Sequence, residues 1–373
     1  MPATIKIALD CRDVNVATTG THTYLTELIA AFAKQHTDGV TFIFIKHFMG
    51  IMPGNNAFSN LIRHFQFFWW KQITLPILTF FKGADILICT DYVAPIFTPG
   101  FKTMVVFHDA FFWELPQYYN AAWLRLFKAV ALAAAKKVIC VVAPSHFAKK
   151  QIALHTSIRP EKIKVVYEAP KTFVPLHTKQ SLTNRPYFLH VGTLAKHKNL
   201  PKLIEAFAVV AANNPSIALV MVGGAPTSVH NNDLPAIEAA IQKHQLQNQI
   251  ILTGYVSSSE VANWYTHALG YVFPSINEGF GLPILEAMYH GIPIVASNNT
   301  CLPEIGQAGA LYFDPYNALE IASIMTAVIN REDAVVASVS AQQTVLQQFS
   351  WDQTARHLVQ IATEGLKSGF KHA

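Results

Sequence analysis

Charged residues and cysteines are scarce in this chain of 373 residues. Asp, Glu, Lys and Arg together make up 14% of it, against about 25% in ordinary soluble domains, while hydrophobic residues reach 51%. So apolar a composition excludes a disordered protein. The four cysteines lie far apart, and three of them fall in apolar runs, which argues against a disulfide framework or a zinc site and favours reduced thiols in the core.

Long hydrophobic runs and a secretory signal are missing as well. Lys, Arg, His, Pro or Gly interrupts every apolar stretch before it reaches the roughly 18 residues of a membrane-spanning helix. The segment from Met1 to Asp10 alternates in the manner of a strand and carries neither a basic region nor a cleavage site. We therefore expect a cytoplasmic protein, with peripheral attachment to the inner face of the cell membrane as an open alternative.

Two missing motifs argue against particular classes of function. Neither half contains Gly-x-Gly-x-x-Gly after a strand, which argues against a nicotinamide-dependent dehydrogenase. The basic residues form no recognised nucleic-acid motif, so no nucleic-acid partner is expected.

Charge is unevenly distributed along the chain. Residues 1–180 hold 19 Lys and Arg against 10 Asp and Glu, whereas residues 181–373 hold 9 Lys and Arg against 13 Asp and Glu. A basic first half that is also rich in aromatic residues is expected to meet something anionic and apolar, although most of the aromatics belong in a core.

Short β-branched runs alternate with helical patterns, which predicts an α/β fold of parallel sheets covered by helices. Six strands are predicted between Ile5 and Val166, and a second series of five runs from Tyr187 to Ala296. The segment 168–186, with three prolines, is typical of a linker. We therefore predict two Rossmann-like domains that face each other across a deep cleft.

The most informative stretch runs from Ser275 to Met288. Gly279 and Gly281 allow close approach of the backbone to a ligand, and Pro283 occupies a position typical of the start of a helix. The amides around Gly281 and Leu282 would then form an anion site at a helix N-terminus.

Two carboxylates flank that anion site, because Glu278 and Glu286 lie eight residues apart in the same stretch. Carboxylates repel a phosphate, so they match sugar hydroxyls, which can donate hydrogen bonds to them. Hydroxyls of a sugar at one end and of a ribose at the other would suit the pair. An ordinary capped helix is the alternative.

A second site element follows the first strand of the second series. Lys196, His197 and Lys198 cluster on a loop that enters a helix near Pro201. This is another arrangement that suits a phosphate, with lysine acting as a point charge. A solvated basic loop is the alternative.

These elements resemble motifs of retaining glycosyltransferases of family 4. The stretch from Glu278 to Glu286 is similar to their E-x7-E motif, and residues 192–199 resemble their donor-phosphate loop. Shorter motifs follow the family's order over nearly the whole chain. They are Asp10-Cys11-Arg12 with Gly20, His108-Asp109, Pro144 to Phe147, Gly254 to Val256, Phe273 to Ser275 and Leu302 to Glu304.

The resemblance implies the GT-B architecture. Residues 1–178 would form the acceptor domain, joined by a C-terminal helix at 351–373, and residues 179–350 would bind the nucleotide sugar. The implied reaction moves a hexose such as mannose or glucose from a nucleoside diphosphate sugar, with retention, to a glycan or a polyprenyl-diphosphate-linked saccharide. Because the chain contains no Asp-x-Asp, we expect neither a metal nor a cofactor besides the donor substrate.

Carry-over from the family assigns roles to single residues. Glu278, Lys198 and His108 would be the catalytic groups, with Lys198 neutralising the diphosphate and His108 contacting the transferred sugar. Glu286 would hold the ribose. The donor would be bound by Gly20, Gly192, Thr193, His197, Tyr255, Val256, Gly279, Phe280, Gly281, Leu282 and Glu286.

The chain departs from the family pattern at two places. Many relatives carry Arg at the position of Thr193 or His197, and a histidine is only partly charged near neutral pH, so phosphate binding would be weaker or pH-dependent. The N-terminal loop has the single glycine Gly20, which weakens the expectation of close backbone approach there.

The segment from Leu61 to Lys71 hints at the acceptor. As a helix it would turn Leu61, Ile62, Phe65, Phe68 and Trp69 to one apolar face. Arg63, Phe67, Trp70 and Lys71 would form an exposed basic and aromatic face, which suits an anionic membrane or a lipid-linked acceptor, with Asp109 a further acceptor residue. Packing of that face against a neighbouring loop is an equal alternative.

Two other functions remain open at this point. A nucleotide-sugar epimerase of related fold would change the sugar without any acceptor. A non-catalytic carbohydrate-binding relative would keep Glu278 without needing Lys198 or Glu286, so the joint presence of the three residues favours an enzyme.

Overall fold

Packing divides the chain into two compact units. The computed structural model describes residues 4–16, 20–35, 39–47, 57–172, 181–226 and 228–369. One unit comprises residues within 1–116, 120–168 and 351–373, and the other comprises residues within 117–119 and 169–350. The predicted domain boundary at 178/179 lies outside the described residues.

The first unit contains a six-stranded sheet in which all neighbouring strands are parallel. The strands are β1 (Ile5–Asp10), β2 (Val40–Ile45), β3 (Ile86–Cys89), β4 (Lys102–Val106), β5 (Val141–Ala143) and β6 (Ile163–Val165). They lie in the order β2-β1-β3-β4-β5-β6. The order reverses between β1 and β3, and such a switch point leaves a crevice beyond the carboxyl ends of the two strands.

Six helices of the first unit precede its last strand. They are α1 (Gly20–Lys34), α2 (Ala57–Trp69), α3 (Leu75–Phe81), α4 (Phe111–Glu114), α5 (Ala121–Lys137) and α6 (His146–His155). A π-helical turn, Trp70–Thr74, joins α2 to α3 without a break. The side chains of Asn120 and Ser145 cap α5 and α6 by accepting hydrogen bonds from first-turn amides.

The second unit repeats this design. Its strands are β7 (Tyr187–Val191), β8 (Ala218–Val222), β9 (Ile250–Gly254), β10 (Gly270–Phe273), β11 (Ile294–Ser297) and β12 (Leu311–Phe313). All neighbours are parallel in the order β12-β11-β10-β7-β8-β9, so the switch point lies between β7 and β10. The helices are α7 (Leu200–Asn213), α8 (Leu234–Lys243), α9 (Ser258–His267), α10 (Leu282–Tyr289), α11 (Leu302–Gly306), α12 (Ala318–Asn330) and α13 (Asp333–Leu346).

The last helix, α14 (Trp351–Gly369), packs in the first unit. The ring of Trp351 lies edge-on to that of Tyr24 on α1, with centroids 5.5 Å apart. The hydroxyl of Thr354 donates a hydrogen bond to the carbonyl oxygen of Tyr167 at 2.6 Å. These contacts attach α14 to both ends of the first unit's sequence.

The predicted α/β class with two Rossmann-like domains is confirmed by the two parallel sheets. All eleven predicted strands occur, and the structure adds β12, a three-residue strand that the sequence analysis does not predict. Cys11, Cys89, Cys140 and Cys301 are buried and unbridged, as expected for core thiols. Within the described ranges, no helix combines the length and apolar character that crossing a membrane requires.

A buried lysine occupies the switch point of the first sheet. The side chain of Lys71 is 1% exposed, and its ammonium donates to Asp10 Oδ2 at 2.6 Å and to Asp91 Oδ1. Asp10 Oδ1 also accepts hydrogen bonds from Trp70 Nε1 at 3.0 Å and from the amide of Arg12 at 3.1 Å. Burial alone would lower the pKa of Lys71, but the two carboxylates outweigh it and raise the pKa, so the ammonium stays charged. The network ties β1, β3 and the π turn together.

The predicted exposed face of the segment 61–71 is therefore wrong. Trp70 and Lys71 are fully buried, Arg63 is half-buried, and Phe67 packs on the core with the Arg12 guanidinium 5.1 Å from its ring centre. A lysine is assigned to solvent by default, and only the tertiary structure supplies the carboxylates that permit its burial.

Replacing Lys71 by alanine is expected to lower the free energy of unfolding by about 3–5 kcal/mol, because two buried carboxylates lose their counter-charge. Urea denaturation at neutral pH measures this. Lys82→Ala, at the exposed end of α3, is the matched control. A loss of less than about 1 kcal/mol, typical of a surface ion pair, would contradict the structural role of the network.

Candidate functional site

The two predicted site elements are neighbours in the second unit because β7 pairs with β10. The register places Phe188 opposite Gly270 and Leu189 opposite Tyr271. Parallel strands end at the same edge, so the loops that follow β7 and β10 meet at the switch point of the sheet. This crevice is where open α/β sheets bind their ligands.

An ion pair joins the two loops. The ammonium of Lys198 donates to Glu278 Oε1 at 2.6 Å and lies 5.1 Å from the centre of the Phe273 ring. The side chains of Lys198 and Glu278 are only 10% and 12% exposed. Burial would raise the pKa of Glu278, but Lys198 outweighs it and lowers the pKa, so the carboxylate is ionised at neutral pH.

Asn199 holds the same two loops together through hydrogen bonds, and it was not among the predicted site residues. Its backbone is left-handed, with φ at 57°, and its side-chain amide donates to the carbonyl oxygens of Pro274 at 3.2 Å and Pro315 at 2.8 Å. The amide of Ile276 donates to the carbonyl of His197 at 2.9 Å. Asparagine is enriched in the left-handed region, which is the one sequence signal for this role.

The N-terminus of α10 stands beside the ion pair. Gly281 has φ at 95°, a left-handed conformation that favours glycine, and a Cβ there would come within 2.9 Å of Leu302 Cδ2, so that side chain would have to move. The helix begins at Leu282, one residue before the predicted first position at Pro283. Phe280 is buried with its ring 6.0 Å from that of Phe349, so only its backbone could meet a ligand.

Glu286 lies one turn into α10 rather than at its first turn. Its Oε2 accepts a hydrogen bond from the hydroxyl of Tyr265 on α9 at 3.2 Å. Burial raises the pKa of Glu286, and Tyr265 and Lys171 offset part of that rise. Sequence reasoning missed Tyr265, because only the packing of α9 against the sheet brings it to a residue 21 positions away.

The other predicted donor residues fall at different places. Gly192 and Thr193 directly follow β7. The loop after β8 passes so close to them that a Cβ on Gly223 would lie 1.9 Å from the carbonyl oxygen of Gly192. After β9, Tyr255 is 78% exposed and Val256 is half-buried. Of the remaining predicted donor residues, Gly20 begins α1 in the first unit.

The expectation that His197 is partly charged near neutral pH is wrong. The residue is 9% exposed, and burial with the adjacent Lys198 charge lowers its pKa to about 4. His190, at the end of β7, is buried with a pKa also lowered to about 4, mainly by desolvation. Both rings are neutral at pH 7, so the fixed positive charge at this site belongs to Lys198.

His108 follows β4 in the first unit, and both of its ring nitrogens make polar contacts. Its Nε2 lies 2.8 Å from the carbonyl oxygen of Thr90 and its Nδ1 lies 3.2 Å from Glu168 Oε1. The carbonyl can only accept, so Nε2 carries a proton, and the side chain of Glu168 favours a second proton on Nδ1. Burial would lower the pKa of His108, but Glu168 outweighs it and raises the pKa. A ring without a free lone pair is unsuited to act as a general base.

Asp109, the neighbour of His108, is held by its own surroundings. Its Oδ1 accepts from the hydroxyl of Tyr92 at 2.7 Å and from the amide of Phe111 at 2.9 Å. Burial raises the pKa of Asp109 to about 6. These bonds fix the loop after β4, and the predicted role toward an acceptor stays a prediction.

The His108–Glu168 pair predicts a pH-dependent stability. Because the pKa of His108 is raised in the folded state, the stabilisation is fully present below the unfolded pKa and is lost as pH rises through the folded pKa. The advantage of wild type over Glu168→Gln in unfolding free energy should therefore be largest near about pH 6 and shrink toward about pH 9. Urea denaturation across this range measures it. Glu114→Gln, which alters the more exposed contact of Glu114 with His155 at 3.5 Å, is the control, and a pH-independent difference for Glu168→Gln would refute the assignment.

Comparison with known proteins agrees with this arrangement. Residues 176–342 match the family model of glycosyl transferases group 1. The chain is 23% identical over 260 residues, 67% of each chain, to the O-antigen chain mannosyltransferase B of Escherichia coli. Sucrose-phosphate synthase from Thermosynechococcus elongatus superposes with a TM-score of 0.72 at 17% identity, covering 98% of this chain and 100% of that one. Anabaena HepE in complex with UDP-glucose gives 0.68 at 17% identity, with 98% and 100% covered. The two parallel sheets and the similar solved structures show that the chain has the GT-B fold, and the family match over residues 176–342 and the relative support a glycosyltransferase.

Proposed function

We propose that the protein moves a hexose, such as mannose or glucose, from a nucleoside diphosphate sugar to a glycan or a polyprenyl-diphosphate-linked saccharide, with retention at the anomeric carbon. The proposal takes Glu278 and Glu286 as the E-x7-E pair of family 4. It is supported by a relative that is an O-antigen mannosyltransferase and by a neighbour of like fold that binds UDP-glucose. The observation that carries it is the Lys198–Glu278 ion pair beside the N-terminus of α10.

The donor would lie across the switch point of the second sheet. Lys198 and the amides at Gly281 and Leu282 would face the diphosphate, since a charged ammonium and a helix N-terminus both favour an anion. Glu286, held by Tyr265, would accept hydrogen bonds from the ribose hydroxyls. Glu278 would do the same for the transferred sugar.

The base and the first unit complete the proposed set of contacts. The exposed ring of Tyr255 and the side chain of Val256 would lie beside the base. Gly20 and His108 of the first unit would contact the diphosphate and the transferred sugar. His108 serves there as a charged, fixed ring.

The chemical difficulty of the reaction is the separation of charge. As the bond between the anomeric carbon and the diphosphate oxygen breaks, negative charge grows on the diphosphate, and donors fixed around it stabilise the transition state more than the ground state. The acceptor oxygen forms the new bond to the anomeric carbon, and its proton passes to the leaving diphosphate. Retention follows when attack and departure occur on the same face of the sugar.

The proposal includes independence of a metal, because the sequence has no Asp-x-Asp and the ammonium of Lys198 supplies the charge. A lipid-linked acceptor is presented at a membrane surface, so we also propose peripheral attachment to the inner face of the cell membrane. Epimerisation and non-catalytic carbohydrate binding are not favoured, because the matched family and the relative are transferases.

Donor binding provides the first test. Melting temperatures measured with UDP-, GDP- and ADP-linked sugars should rise with the cognate donor, because a ligand of the folded state stabilises it. Glu286→Ala is expected to weaken binding of that donor by roughly tenfold or more, the cost of a charged hydrogen bond. Glu205→Ala, an exposed carboxylate on α7, is the control. Unchanged donor affinity in Glu286→Ala would move the ribose elsewhere.

Turnover provides the second test, measured as release of nucleoside diphosphate from the cognate donor with a membrane lipid extract as acceptor source. Lys198→Ala should lower kcat by roughly 10²-fold or more, as removal of one charge-stabilising donor does elsewhere. Lys202→Ala, four residues further on and paired with Glu205 at 2.8 Å, is the matched control. Near-normal kcat in a Lys198→Ala protein that still melts cooperatively would contradict the phosphate role.

A further inference from the structure

An apolar ridge runs along the outside of the first unit over α2, the π turn and α3. Every fourth residue of this segment is a large exposed hydrophobic side chain, between 42% and 80% exposed. The apolar ridge consists of Leu61, Phe65, Trp69, Ile73, Ile77 and Phe81. It spans about 30 Å at the α-helical rise.

The π turn reduces the twist of this ridge. In a regular α-helix, residues spaced by four drift around the axis by about 40° at each step, so six of them would form a spiral. A π turn holds more residues per turn and reverses part of that drift midway, at Trp70–Thr74. The same adjustment keeps Phe67, Lys71 and Leu75 on the opposite side, against the core. The segment is therefore amphipathic along its whole length.

The surroundings of the ridge are cationic. The sequence has no Asp or Glu between Asp38 and Asp85, a span that includes Arg63 and the exposed Lys82. The loop after β3 adds Phe97, which is 74% exposed, and it is attached to the π turn by the hydrogen bond from the Ile96 amide to Gln72 Oε1 at 3.0 Å. Lys137 donates to the carbonyl oxygen of Ile96 at 3.2 Å and so stands beside this loop.

We propose that the apolar ridge lies in the interface of an anionic lipid bilayer and holds the first unit against it. A convex ridge of Phe, Trp, Ile and Leu with basic flanks has the composition of an in-plane interfacial helix, and anionic headgroups match its charge. A second copy of this chain fits less well, because pairing through this face would bring Arg63 and Lys82 of both copies together without a carboxylate from the same segment. The ridge is the face opposite to Lys71, and it does not depend on the donor chemistry of the second unit.

Vesicle sedimentation with the full-length protein tests this surface. Wild type should co-sediment with vesicles of phosphatidylglycerol and phosphatidylcholine in equal parts, and less with phosphatidylcholine alone. Phe65→Ser combined with Trp69→Ser should lower the partition coefficient roughly 10²-fold, because two exposed apolar side chains no longer enter the interface. Phe81→Ser, at the most exposed ridge position, gives a second and independent variant.

The matched control combines Leu154→Ser with Leu319→Ser, two hydrophobic residues that are 69% and 70% exposed but lie on α6 and α12. It should sediment like wild type. Unchanged binding of both ridge variants would overturn the proposal, and so would wild-type dimers in light scattering that the ridge variants convert to monomers without any vesicle binding. The melting temperature and its rise with the donor should be the same in all variants, so a failed donor assay counts against the proposed function and leaves the lipid surface standing.

Discussion

The pairing of β7 with β10 is the constraint on which the proposed donor site depends. It brings a lysine and a glutamate that are eighty positions apart to 2.6 Å and places both beside the start of α10. Each group is nearly buried, and a buried charge without its partner is costly, so the ion pair favours this conformation of both loops. Asn199 then fixes the geometry through two backbone carbonyls. The site is thus a property of the sheet topology as much as of its residues.

The first unit also has a buried lysine at its switch point, but the partners of that lysine are different. At its switch point Lys71 is bound by Asp10 and Asp91, and the three side chains stabilise the sheet internally. At the switch point of the second unit, the amides that begin α10 add positive potential next to Lys198. Lys71 therefore stabilises the sheet of the first unit, whereas Lys198 belongs to an arrangement in the second unit that is suited to an anion.

Histidine shows how strongly the surroundings decide the charge of one residue type. Burial lowers the pKa of His190 and His197 to about 4, whereas Glu168 raises the pKa of His108. A neutral His197 removes the pH sensitivity that its place in the phosphate loop suggests. Glu168 favours the charged form of His108, which fits the proposed reaction, in which the leaving diphosphate takes the acceptor proton.

The fold class could be predicted from the residue pattern, because strand and helix periodicities record which faces are apolar. Glycine, proline and charge spacing likewise located the loops of Lys198, Glu278 and Gly281, and periodicity separated the two faces of the segment 61–71. Which of those two faces is buried could not be predicted, because it depends on Asp10 and Asp91, which are distant in sequence. The hydrogen bonds of Tyr265 and Asn199 could not be predicted for the same reason. They join residues that are distant in sequence, and a local sequence pattern does not contain that information.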